Sequence, residues 1–324
     1  MLRIGVLGAA RIAPAALIAP ARSVPGVQVV AVAARDRGKA AAFARRHGIA
    51  QVHAGYAELL ADPGIDAVYV PLPNGLHARW TLAALEAGKH VLCEKPFTAN
   101  AAEAETVAGA ARRSGLVVME AFHYRYHPVF ARALEIAGTL GEPRSIDTAL
   151  CFPLPRFSDI RYDYGLAGGA MMDAGCYAVH ALRTLGGGEP EVTSARALLQ
   201  KPRVDRAMVA EYRFPGGASG RTVASMWSRH LLNVSARYTG SEGSLRIFNY
   251  LAPSAFHRLT VHRGGRTSHE RVPGGTTYSY QLRAFAAAVA GEGTNLTPPE
   301  DSVRTMRVID DVYRAAGLPP RGAE

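Results

Sequence analysis

The stretch RIGVLGAARIA, Arg3 to Ala13, decides how the first half of this chain is read. RIGVL is a short apolar run, Gly8 breaks it, and an alanine-rich stretch follows. That order predicts a strand, a turn at the glycine and the start of a helix. A strand, turn and helix of this kind form the phosphate-binding end of a dinucleotide fold, whose fingerprint is G-x-G-x-x-G/A. The six positions here are Gly8, Ala9, Ala10, Arg11, Ile12 and Ala13. The first glycine is present, the last position is an allowed alanine, and Ala10 replaces the glycine that lets backbone approach a pyrophosphate. Taken alone, the same residues also suit an ordinary strand–turn–helix.

The surrounding sequence favours the dinucleotide reading. Further apolar runs occur at VQVVAVAA (27–34), DAVYVPLP (66–73), HVLCEKP (90–96) and GLVVMEAF (115–122), with a shorter one near Gln51–His53. Alanine-rich amphipathic stretches such as DRGKAAAFARRHG and HARWTLAALEAGK separate them. Near-continuous apolar strands alternating with helices predict βαβ units and a doubly wound parallel sheet. An NAD enzyme places an acid at the end of the second strand, about 20 residues past the glycine turn, to hold the ribose 2′-hydroxyl. This chain has Ala33, Ala34 and then Arg35. An arginine there suits a 2′-phosphate, so NADP is favoured over NAD. Asp36 is the alternative acid if the register is off by two.

Past residue 122 the pattern changes. HPVFARALEIAG reads as a helix. Segments with partial alternation follow: RSIDTALCF, EVTSARALLQ, AMVAEYRF, GASGRTVASMW, LLNVSARYTG, GSLRIF and RLTVHRG. They predict an open, largely antiparallel sheet. A helical stretch at 168–187 interrupts them, and two more helices close the chain. The expected fold class is α/β: a Rossmann domain over residues 1–121, then an α+β substrate-binding and oligomerisation domain over 122–324.

Composition narrows the function classes. The 324 residues carry a formal charge of +10, but only four of the 37 basic residues are lysine, and the arginines are scattered rather than clustered. No basic run with interleaved aromatics points to nucleic acid. The three cysteines, Cys93, Cys151 and Cys176, lie far apart, which argues against a disulfide framework and against a metal site. Arg11 interrupts the apolar N-terminus, so a signal peptide is not expected, and no segment reaches the roughly 18 uninterrupted apolar residues of a membrane span. A cytoplasmic protein is expected.

Several longer stretches resemble one family: GAARIA, VPLPNGLHARWTLAALEAGKHVLCEKP, EAFHYRYHP, GGAMMDAGCYAVHALR, YTGSEGS and PPEDSVRTMRVIDDVYRAAGLPPR. The chain resembles the glucose–fructose oxidoreductase, inositol dehydrogenase and MocA oxidoreductases over essentially its whole length. It is most similar to their xylose dehydrogenase and dihydrodiol dehydrogenase branch. The resemblance implies nicotinamide-dependent hydride transfer on sugars, cyclitols or related alcohols, and a homodimer or higher homo-oligomer joined through the open sheet. It also implies a role for Lys95, after the fifth strand: contact with the nicotinamide ribose and the substrate oxygen, and stabilisation of a developing alkoxide. Glu94 would orient that end of the site, and a cis Lys95–Pro96 bond fits the family.

In MMDAGCYAVH, Asp173 and Tyr177 are four residues apart and share a helix face. The resemblance makes them the partners of Lys95 in catalysis, Tyr177 standing where many relatives have histidine. A tyrosine titrates near 10 when unperturbed, so it needs a neighbouring cation to act as a base near neutrality. His180 and Arg161 are candidate substrate contacts. Pro71, Leu72, Asn74 and His77, which open the helix after the fourth strand, are candidate cofactor contacts with Gly8, Ala10, Arg11, Ile12, Arg35, Glu94, Lys95 and Arg125. His123 stands where the family has a bulkier apolar residue. Two competing readings remain: a non-catalytic cofactor-sensing regulator, and an NAD-using glycoside hydrolase of related fold. Retention of Lys95, Asp173 and Tyr177 together argues for the dehydrogenase.

Overall fold

The computed structural model describes residues 1–322. The chain divides into two compact units, one made of Met1–Thr98, Ala102–Tyr126 and Thr276–Val303, the other of Ala99–Ala101, His127–Gly275 and the chain from Arg304 on.

In the first unit the apolar runs become strands: β1 (Leu2–Leu7), β2 (Val27–Ala33), β3 (Gln51–His53), β4 (Ala67–Val70), β5 (His90–Cys93) and β6 (Val118–Glu120). All pair in parallel, in the order β3-β2-β1-β4-β5-β6. Every residue of β4 is fully buried, which is why these strands read as unbroken apolar runs instead of alternating. The connections are helical. A π-turn at Pro14–Ile18 continues into the short α1 (Ala19–Ala21), followed by α2 (Arg37–His47), α3 (Tyr56–Ala61), α4 (His77–Glu86) and α5 (Ala101–Ser114). Strand order reverses between β1 and β4, so the segments leaving β1, β4 and β5 converge at the carboxyl edge, where ligands of such sheets bind. Gly8, Pro71 and Glu94 begin those segments.

The second unit holds α6 (Pro128–Ala137), β7 (Pro143–Cys151), α7 (Cys176–Gly186), which a π-turn at Met171–Gly175 precedes, and then β8 (Glu191–Lys201), β9 (Val204–Arg213), β10 (Ser219–Ser225), β11 (Asn233–Gly240), β12 (Gly243–Phe248), β13 (Arg258–Arg263) and β14 (Arg266–Glu270). The eight strands form one sheet in the order β14-β13-β12-β11-β7-β10-β9-β8. Only β7 and β10 pair in parallel. One face packs on α7, where the Thr148 hydroxyl donates to the Ala178 carbonyl at 2.8 Å. The other face carries a row of charges in cross-strand register: Glu211, Arg221, Asp147, Arg237 and Arg246. Beside it runs a milder row of Val209, Val223, Ala149 and Ser235.

After β14 the chain rejoins the first unit as α8 (Thr277–Val289), whose Leu282 and Phe285 sit in a core with Leu17, Ile18 and Met119. Residues 295–297 then cover the edge of β6: Glu120 N–H donates to the Thr297 carbonyl at 3.0 Å, and the Thr297 hydroxyl donates to the Glu120 carbonyl at 2.8 Å. That pairing removes an exposed sheet edge. The last helix, α9 (Pro299–Ala315), leads into the C-terminal segment. Among the described residues no helix is long and apolar enough to cross a membrane, and no three His, Cys, Asp or Glu side chains gather as a metal site.

Candidate active site

The turn after β1 fits a dinucleotide. Gly8 has a φ of +111°, and a Cβ placed there would meet Leu72 Cδ2 at 3.1 Å. Both backbone shape and space therefore call for glycine. Ala10 is half-buried, while Arg11 and Ile12 are exposed at the start of the following turn. Pro14 fills the first position of the π-turn, where a missing N–H costs nothing. At the end of β2, Arg35 is exposed. Asp36 caps α2, its carboxylate accepting the Lys39 N–H at 3.0 Å, so the acid considered as an NAD ligand is engaged as a helix cap. Tyr56 lies beside Arg35: burial raises its pKa and the arginine's charge lowers it. Its ring packs edge-on against Trp80, with centroids 4.7 Å apart. Sequence reading did not single out Tyr56.

At the end of β5, Glu94 is buried and Lys95 half-buried, and the Lys95–Pro96 peptide is cis. Tyr69, fully buried on β4, donates its hydroxyl to Glu94 Oε1 at 2.6 Å. The other carboxylate oxygen accepts the Lys95 backbone N–H at 3.3 Å. His77 lies with one ring nitrogen 2.7 Å from the Pro96 carbonyl and the other 2.7 Å from the Leu72 carbonyl. It thus ties the segment after β4 to the turn that carries Lys95. Pro71 is buried; Leu72 is half-buried, as is Asn74, which opens a short 3-10 turn.

Two further rings feel the charge of the lysine. His123 packs on Tyr278 with centroids 4.3 Å apart. Burial, and after it the charge of Lys95, holds His123 down at about 3, so its ring is neutral at ordinary pH. Tyr278 is pushed up to about 12, by burial first and by Glu94 second, with Lys95 opposing. The charges of Glu94 and Lys95 thus act in opposite directions on the buried Tyr278 ring. Tyr69 and Tyr278 escaped sequence reading. Arg125 lies half-buried in the 3-10 turn His123–Tyr126.

In the second unit Asp173 lies in the π-turn and Tyr177 in the first turn of α7; they are 9% and 7% exposed. His180 is buried to 1%. Arg161, considered as a substrate contact, pairs with Asp173: its Nε lies 2.9 Å from Asp173 Oδ2, and its Nη1 lies 3.2 Å from Asp159 Oδ1. The π-turn is anchored below by Asp205 of β9, whose Oδ2 accepts the Met171 N–H at 2.7 Å. Asp205 pairs in turn with Arg321 at 2.8 Å, both side chains being fully buried. Breaking one partner out of such a pair costs about 3–5 kcal/mol. Burial pushes the Asp205 carboxyl up, against the pull of Arg321. Sequence reading passed over both residues.

The chain matches two family models: an oxidoreductase family with an NAD-binding Rossmann fold over residues 2–122, and the GFO/IDH/MocA C-terminal domain over residues 130–246. It is 38% identical over 314 residues to D-xylose 1-dehydrogenase (NADP(+)) 2 of Haloferax volcanii, covering 96% of both chains. It is 37% identical to a dTDP-3,4-didehydro-2,6-dideoxy-alpha-D-glucose 3-reductase of Streptomyces violaceoruber, over 98% of this chain and 96% of the other. Among solved structures, a 3-ketoreductase from Actinomadura kijaniata in complex with NADP and TDP-benzene superposes with a TM-score of 0.89 at 32% identity, covering 97% of both chains. These matches run end to end through both units, and the chain belongs to the oxidoreductase family with an NAD-binding Rossmann fold named for glucose–fructose oxidoreductase, inositol dehydrogenase and MocA.

Proposed function

We propose that this protein is an NADP-dependent oxidoreductase that transfers hydride between the nicotinamide and a hydroxyl-bearing carbon of a sugar, cyclitol or dihydrodiol. The observation that carries this reading is the half-buried Lys95 at the carboxyl end of β5, next to a Glu94 that Tyr69 fixes. When bound, NADP supplies the hydride acceptor or donor. Gly8 and its turn would receive the pyrophosphate and Arg35 the 2′-phosphate, while Pro71, Leu72, Asn74, His77 and Arg125 would hold the nicotinamide end. Lys95 stabilises negative charge on the substrate oxygen. Tyr177 moves the hydroxyl proton, and Asp173, held by Arg161, orients the groups around it. The test is a screen of NADP⁺ reduction over aldoses, cyclitols and trans-dihydrodiols, with NADPH oxidation by a dTDP-linked ketosugar as the reverse arm. No turnover in any arm would contradict the reading.

NADP(H) preference rests on Arg35. Arg35→Ala is expected to lower kcat/KM for NADP about 10–100-fold, since a hydrogen bond to a charged group contributes roughly 1.5–3 kcal/mol. The value for NAD should stay unchanged. Equal losses with both cofactors would remove Arg35 as the discriminator.

A homodimer joined through the open face of the second-unit sheet is the assembly we propose. Val209, Val223 and Ala149 form an apolar strip there, next to charges of both signs, and Leu198 of β8 is 44% exposed. A self-complementary face of this composition suits a twofold interface. Light scattering at micromolar concentration should give about twice the mass of one chain, and a monomer would count against the proposal.

A further inference from the structure

We propose that Arg321, six residues past the end of α9, is a positioning residue for Asp173. The proposal rests on the reading of Asp173 as part of the catalytic apparatus. Arg321 follows a Pro-Pro pair in what looks like a surface tail, yet its side chain is fully buried. Its Nε donates to the Gly168 carbonyl at 2.7 Å and its Nη2 to Asp205 Oδ1 at 2.8 Å. The guanidinium carbon lies over Tyr313, 4.0 Å from the ring centroid, and 5.2 Å from that of Tyr164. Tyr313 also donates its hydroxyl to Asp205 Oδ1 at 3.0 Å.

These contacts converge on the segment that delivers Asp173. Asp205 Oδ2 takes the N–H of Met171, the first residue of the π-turn. The Asp173 N–H bonds the Gly169 carbonyl at 3.0 Å, and the Gly169 N–H bonds the Arg161 carbonyl at 2.8 Å. Arg161 closes the circuit through its side chain, which pairs with Asp173 Oδ2 at 2.9 Å. The turn that Asp173 rides on and the arginine it faces are thus each tied back to one buried ion pair. Gly169 shows how tightly the junction is built. It has a φ of +139°, and a Cβ there would collide with Asp205 Oδ1 and lie 2.8 Å from Arg321 Nη2. A π-turn closes wider i→i+5 bonds and is seldom stable unaided. An anchor on its first N–H fixes where the wide turn begins, and with it the height and rotation of Asp173.

The test uses mild changes, because removing the guanidinium outright leaves a buried carboxylate unpaired. Arg321→Lys keeps the charge but loses the two-pronged fork. Tyr313→Phe removes one hydrogen bond and leaves the pair. Amide hydrogen exchange, read by mass spectrometry well below the melting temperature, needs no substrate. Peptides spanning 169–177 should exchange about tenfold faster in Arg321→Lys and less so in Tyr313→Phe, while β1 and β4 peptides stay unchanged. With the best substrate from the screen above, kcat of Arg321→Lys should fall at least about tenfold, with the NADPH dissociation constant held within about twofold. Arg321→Lys combined with Asp173→Asn should be no slower than Asp173→Asn alone, because the two changes remove the same function. Unchanged exchange at 169–177, or additive losses in the double variant, would overturn the proposal. A slow Asp173→Asn beside an unimpaired Arg321→Lys would overturn it while leaving the reading of Asp173 intact. An Asp173→Asn enzyme with normal kcat would overturn both.

Discussion

Lys95→Ala is expected to lower kcat by about 10²–10³, the usual loss when one group that stabilises a developing oxyanion is removed. Affinity for NADPH should change by less than about threefold, because the contacts we assign to the pyrophosphate and 2′-phosphate lie elsewhere, at the Gly8 turn and Arg35. The surroundings of the lysine argue for a selective effect. Glu94 keeps the Tyr69 hydroxyl at 2.6 Å after the substitution, so its carboxylate is not left without a donor. His123 owes its low pKa of about 3 first to burial and only second to Lys95. Losing the ammonium raises that pKa, but burial still keeps the ring neutral in the working range, so no new titration enters the pH profile from His123. Steady-state kinetics paired with a fluorescence titration of NADPH separates the two quantities. A variant with near-normal kcat would sink the assignment, and so would one whose only defect is cofactor affinity.

How much of this was legible depended on whether the deciding interaction was local. β1, β2, β4, β5 and β6 announced themselves because a parallel sheet covered on both faces needs continuous apolar runs. Gly8 and the Glu94-Lys95-Pro96 run are local signals too, since each belongs to a turn built from adjacent residues. β14 was missed: RTSHE is polar and mostly exposed at a sheet edge, so packing leaves no mark on it. The Gly264–Gly265 pair before it was the available clue, because such pairs close tight hairpins. The open face of the second sheet was less legible. In VSARY, Ala236 and Tyr238 point to the covered side, and Ser235 and Arg237 face outward. A period of two fixes which residues share a face and leaves open which face is covered.

The site shows the same division. Tyr278 reaches the Lys95 neighbourhood from α8, far along the chain, and nothing in the apolar spacing of α8 says which sheet it packs on. Asp205 and Arg321 lie 116 residues apart in the sequence, and only the fold joins them. Arg161 was visible as a candidate, but its partner was not. Only the loop path from Asp159 to Gly169 brings it onto Asp173.

Tyr177→Phe is the second change expected to have a large effect. It keeps the ring that packs at the start of α7, and a swap that conserves volume costs less than about 1.5 kcal/mol of stability. The melting temperature should therefore move by only a few degrees, while kcat falls by about 10²–10⁴, the range for a lost proton-transfer group. The comparison with Lys95→Ala is the sharper test. If Lys95 provides the positive field in which Tyr177 releases and recovers its proton, neither group works without the other, and removing both costs little more than removing one. The double variant is then expected within about threefold of the slower single variant. Losses that multiply would mean that the two residues stabilise the transition state independently, with the lysine acting on the substrate oxygen alone. A Tyr177→Phe enzyme of normal kcat would shift the proton transfer to another group; Lys95 would then be the first to examine, through the pH dependence of the phenylalanine variant.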